Sequence, residues 1–186
     1  TGKLGIIRNS IRSTTAARMR YKHAKTCIKD FLSAGNRDMA LIHAKIADLQ
    51  RTVDDDTATA FTREDSQYSI DALNSFMRLQ NQIPAHDYIK VPLRGQPHLN
   101  INGVDISVNL DLKSQRTYSG KNQVGGIICR FTKSDSGTSA AITKREDMGR
   151  YVATLAHLRI SQDAGDRDAY RGLSMAVDVQ FGQAIQ

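Results

Sequence analysis

The sequence predicts an α+β fold, an N-terminal helical module followed by a small mixed sheet with flanking helices. Three observations carry this. Apolar residues recur at three- and four-residue spacing through the first half of the chain. They alternate every second residue in several short runs of the second half. From the third helix onward the order is helix, three strands or so, helix, strand, an arrangement that buries one layer of helices against a sheet. A chain of 186 residues is long enough to bury a core without disulfides. The boundary is drawn at residue 61, giving a basic helical module at 1–61 and an α+β domain at 62–186.

The first predicted helix carries Ala17, Tyr21, Ala24, Ile28 and Phe31 on one face, with Thr14 or Thr15 as cap and Gly35 as stop. The second buries Met39, Ile42, Ile46, Leu49 and Val53. A third begins near Thr62, with Glu64 and Asp65 in its first turn. It runs through Ile70, Leu73, Phe76 and Met77 until Pro84 stops it. A short extended run at 88–91 follows. His98–Ile101 and Val104–Leu112 read as strands around an Asn102-Gly103 hairpin turn. In the second of these, Val104, Ile106, Val108, Leu110 and Leu112 face one way, and Asp105, Ser107, Asn109 and Asp111 the other.

An eleven-residue polar loop, Lys113–Gln123, leads to Val124–Thr132, which is apolar on both faces and reads as a central strand. Gly125-Gly126 opens that strand and marks a bulge or a close backbone approach. Thr143 and Glu146 form a capping box for a fourth helix, with Met148, Val152 and Leu155 as its buried stripe. The last strand is Leu173–Phe181, parallel to a neighbour if the helix serves as a crossover.

Composition narrows the class. No apolar run approaches the roughly 20 residues of a membrane span, and no secretory leader pattern is present, so a cytoplasmic protein is expected. The chain opens on Thr1, as one trimmed from a longer sequence would. Cys27 and Cys129 match no metal spacing and read as free thiols. The five histidines form no local ligand pair, and His157 reads as a partly buried core residue. No nucleotide-cradling glycine loop and no Ser–His–Asp pattern is present. Asp178, flanked by apolar residues, either pairs with a basic group or points outward.

The formal charge is +7, and residues 1–51 alone hold +8, leaving −1 for the remainder. Arg18, Lys22, Lys25 and Lys29 form a stripe on the first helix. Arg12 and Arg20 add to it, and no acid interrupts Arg8 to Lys29. Such a stripe suits phosphate backbone, DNA or RNA, read without sequence preference. An acidic protein surface is the other partner it fits. Lys113, Arg116 and Lys121, with Tyr118 between, offer a second contact. Aromatics are only 6% of the chain and tryptophan is absent, so base stacking is not expected to dominate.

With these elements in order, residues 62–182 resemble the PD-(D/E)XK nuclease-like superfamily, whose core is helix, three-stranded antiparallel meander, helix, strand. In active members an aspartate ends the second core strand, and a carboxylate and a lysine two residues apart lie on the third. Together they hold a divalent metal that activates water. The resemblance places Asp111 in the aspartate's position, as metal ligand and catalytic residue, and Lys133 in the lysine's. The carboxylate slot is then Phe131, or Ile128 if Arg130 takes the lysine's place, and neither carries oxygen.

The resemblance therefore implies a nuclease-like, noncatalytic protein that binds nucleic acid and needs no cofactor, within a phage or bacterial defence or replication assembly. The alternatives are an active Mg2+-dependent nuclease in which Glu64, Glu146 or Asp147 supplies the second carboxylate, or an adaptor that docks another subunit.

Overall fold

The computed structural model describes residues 20–92, 95–131 and 137–186. Three helices come first: α1 (Lys22–Ser33), α2 (Met39–Val53) and α3 (Ala60–Leu79). Tyr21 precedes α1 in the left-handed region at φ 63°, and its backbone N–H donates to the Asp65 carboxylate at 3.0 Å. Gly35, at φ +74°, ends the first helix as expected, since a residue with a Cβ is strained there. Asp38 caps α2 by accepting from the Ala40 N–H at 2.9 Å. Ile42 and Leu49 of α2 are buried, and so are Ile70, Leu73 and Phe76 of α3.

The third helix starts earlier than Thr62, because Thr59 is its cap. Glu64 and Asp65 therefore sit beyond the first turn, and Asp65 serves as a buried acceptor for Tyr21 rather than a partner of the helix dipole.

The sheet is mixed. β1 (Asp87–Lys90), β4 (Leu112–Tyr118) and β5 (Lys121–Arg130) form an antiparallel meander. Helix α4 (Ser139–Gln162) then carries the chain to β7 (Met175–Asp178), which lies parallel to β5. β6 (Asp168–Ala169) pairs with the start of β5, and β8 (Gln183–Ile185) forms the edge beside β7. β2 (Leu99–Ile101) and β3 (Val104–Ile106) make a separate hairpin around the Asn102-Gly103 turn, whose φ values are 50° and 83°.

β5 is central, as expected from a strand apolar on both faces. Ile127 and Cys129 pack among α1–α3, and Ile128 packs on the other side with Leu110, Ala156 and Ile160. Tyr21, Phe31, Leu49, Phe76, Leu112 and Val177 share one cluster, so the boundary drawn at residue 61 runs through a continuous core.

Three expectations are corrected. Val104–Leu112 is not one strand: pairing ends at Ile106 and resumes at Leu112, leaving Val104 62% exposed while Val108 and Leu110 are buried. Lys113–Gln123 is not a loop but most of β4, the start of β5 and the two-residue turn Ser119-Gly120, with φ 48° and 73°. Helix α4 is capped by Thr138, not Thr143, and buries Gly149, Ala153, Ala156, Arg159 and Ile160. Small residues bring α4 close to the sheet, which turns Met148, Tyr151 and Leu158 out to solvent.

Gly125 and Gly126 do mark a close backbone approach. A Cβ on Gly125 would lie 2.2 Å from the Leu173 carbonyl carbon, and one on Gly126 would lie 2.8 Å from the Ala156 oxygen.

Candidate functional site

Asp111 immediately precedes β4, with its carboxylate turned toward α1 and 1% exposed. Its backbone N–H donates to Ile127, its carbonyl accepts from Val91, and Oδ2 accepts from the Cys129 N–H at 2.9 Å. One residue thus ties together the ends of β1, β4 and β5. The Lys25 ammonium lies 2.8 Å from Oδ1 and that of Lys29 lies 4.0 Å away. Lys29 also donates to the Val91 carbonyl at 3.4 Å.

A carboxylate this deeply buried must be compensated, and two ammonium groups from α1 do so. They occupy the space beside the aspartate that a metal would need. Burial, and then the Asp111 carboxylate, push the Cys129 thiol well above its ordinary range, so it offers no thiolate.

The other proposed ligands are spent elsewhere. Glu64 accepts from Arg20 and Tyr68, and Glu146 and Asp147 both pair with Arg150 on their own helix. Ile128 and Phe131 bring no oxygen. The residues around Asp111 therefore do not fit Mg2+. Among the described residues, no three His, Cys, Asp or Glu side chains are grouped as a metal site. Lys133, Arg12 and Arg18 lie outside the described residues.

The basic stripe of α1 is divided rather than continuous toward solvent. Lys25 and Lys29 are turned onto Asp111. Arg20 pairs with Glu64 at 3.2 Å and lies over the rings of Phe61 and Tyr68. Lys22 remains exposed and lines an open cavity of about 460 Å³ between α1 and α2. Cys27 lines the same cavity, its thiol pushed up to about 11 by burial and then by Asp30.

The β4–β5 hairpin gathers a second group. Arg116 donates from Nε to the Gln123 side chain at 2.9 Å, and Gln123 in turn donates to Asp168. The Arg116 guanidinium sits 5.2 Å from the ring centre of Tyr118 and 5.0 Å from that of Tyr170. Tyr118 is 61% exposed and Tyr170 43%. Tyr170 is fixed by its backbone N–H, which donates to the Val124 carbonyl at 2.9 Å. Its ring lies so close over Gly172 that a Cβ there would be 2.7 Å from it.

Lys121 is exposed at the turn, opposite Tyr118 in the register, and Arg171 is exposed next to Tyr170. Burial, and then Arg116, hold the nearby His86 below its ordinary value. Lys113 does not join this group. It lines a cavity of about 160 Å³ with Arg159 and Asp163 at the end of α4. The Arg159 hydrogen bond there holds the Asp163 carboxyl below the usual carboxylate range.

Sequence reasoning found Arg116 and Lys121 but missed Gln123 on β5 itself, and Tyr170, which the parallel pairing of β6 with β5 brings to the hairpin. The short polar run around Asp168 holds no periodic signal that would have revealed a strand. Asp178 is buried and pairs with Arg130 at 3.4 Å, the first of the two options its sequence neighbours left open. The class defined at this point is an α+β protein with a basic and aromatic sheet edge, and among the described residues no helix is long and apolar enough to cross a membrane. No family model matches the chain, and neither a curated protein nor a solved structure does so.

Proposed function

We propose that this chain is a noncatalytic nucleic-acid-binding protein with a nuclease-like layout, contacting phosphate through the exposed β4–β5 hairpin rather than through α1. The observation that carries the reading is Arg116, held by Gln123 between two exposed tyrosine rings, with Lys121 and Arg171 beside it. Fixed guanidinium and mobile ammonium groups on one edge suit a polyanion, and each phosphate neutralised adds salt-dependent affinity. The noncatalytic part is supported by Asp111, whose charge is answered by Lys25 and Lys29.

Anisotropy titration of labelled DNA and RNA tests it. Affinity is expected to fall steeply with added salt. Arg116→Glu with Lys121→Glu is expected to weaken binding by roughly tenfold or more, from two lost contacts and two reversed charges. Binding that ignores both salt and these substitutions would sink the reading.

A second reading, a protein adaptor, is favoured by the apolar residues that α4 leaves exposed. Met148, Tyr151 and Leu158 recur at helical spacing on a face the sheet does not cover. A partner subunit that stays bound after nuclease treatment, and is released by Tyr151→Lys, is its expected signature. A chain that remains monomeric and unpartnered from its native source speaks against it.

A further inference from the structure

We infer that the hairpin site takes single-stranded rather than duplex nucleic acid, its unpaired bases stacking on Tyr118 and Tyr170 beside Arg116; this rests on the nucleic-acid reading above. Arg116, Tyr118 and Lys121 share one face of the hairpin with Gln123 and Tyr170, while Gln115, Thr117 and Asn122 line a cavity on the opposite face, toward α4.

Lys121 and Arg171 are exposed beside the rings and would take the phosphates.

The rings carry the preference. Tyr118 and Tyr170 are exposed, and each is braced by Arg116, while Tyr170 is braced further by its seat on Gly172. Braced, exposed rings are stacking surfaces for bases, and they lose little freedom when a base lands on them. Only unpaired bases present a free face to such rings, because in a duplex each face is covered by its neighbour. Aromatic content is low in the chain as a whole, but two of its six tyrosines meet at this edge.

The test compares the full chain's affinity for a short mixed-sequence strand, as DNA and as RNA, with that for the matching duplex at fixed salt. The single strand is expected to bind roughly tenfold or more tightly. Tyr118→Ala with Tyr170→Ala is expected to erase that preference, and the Phe counterparts are expected to retain it. Equal affinity for strand and duplex, or full single-strand affinity in the double Ala variant, overturns the inference, while salt-dependent binding to both forms leaves the nucleic-acid reading standing. Absence of binding to either form overturns both.

Discussion

Lys25→Met with Lys29→Met is expected to destabilise the protein by about 3 kcal/mol, measured by urea denaturation. The two ammonium groups are the only counter-charge within 4.0 Å of an Asp111 carboxylate that is 1% exposed among the described residues. Removing both leaves a buried anion with one N–H donor, from Cys129. Breaking a fully buried pair costs about 3–5 kcal/mol. The low end applies because Lys25 is 33% exposed, so water already screens part of its attraction.

Adding Asp111→Asn to the same chain is expected to restore part of the loss. The amide oxygen still accepts from Cys129, and no charge remains to be compensated. A double-lysine variant within about 1 kcal/mol of the parent would show that Asp111 is solvated from elsewhere, with room beside it for a cation.

Gly125→Ala is expected to cost at least about 3 kcal/mol, the upper end of overpacking effects. The added methyl would meet the Leu173 carbonyl carbon and oxygen at 2.2 Å. Those are backbone atoms, pinned by the Ser114 hydroxyl, which donates to the Leu173 carbonyl at 2.6 Å, so they cannot swing aside. Gly120→Ala provides the contrast. It meets nothing within 4 Å but has φ +73°, so a loss of only about 1 kcal/mol is expected from backbone strain. Equal melting temperatures for the two variants would show that β5 can shift away from Leu173.

What the sequence revealed follows from how locally each signal is written. Helices α1–α3 were legible because their apolar residues repeat at the helical period and the chain carries Gly35 and Pro84 at two of their ends. Asn102-Gly103 and Gly125-Gly126 were legible because glycine there answers a backbone demand. β4 was missed since its outer half carries Gln115, Arg116 and Thr117, polar residues only partly covered or exposed, where no apolar alternation is required. The phase of α4 was missed because its buried face is built from glycine and alanine, which a size-weighted reading passes over.

The lysine stripe misled for a different reason. Lys25 and Lys29 look like a solvated, basic face until Asp111, far along the chain, is folded underneath them. The candidate site was half legible: Arg116 and Lys121 sit in one hairpin, whereas Tyr170 joins them only through a parallel pairing with no short-range signature.

The seat of Tyr21 has a consequence for how the molecule is assembled in time. Its N–H reaches Asp65, its hydroxyl accepts from the Gln180 side chain, and its ring stacks on Phe131 at 5.2 Å. These partners are separated from it by 44, 159 and 110 residues, so contact order is high around a helix that could otherwise form early. During synthesis α1 emerges well before Asp111, β5 and β7 exist. Until they arrive, Lys25 and Lys29 have no buried anion to answer, and the apolar side of α1 has no sheet to lie on. Most of the slow, non-local part of folding is therefore concentrated at the closing of one early helix onto strands made last.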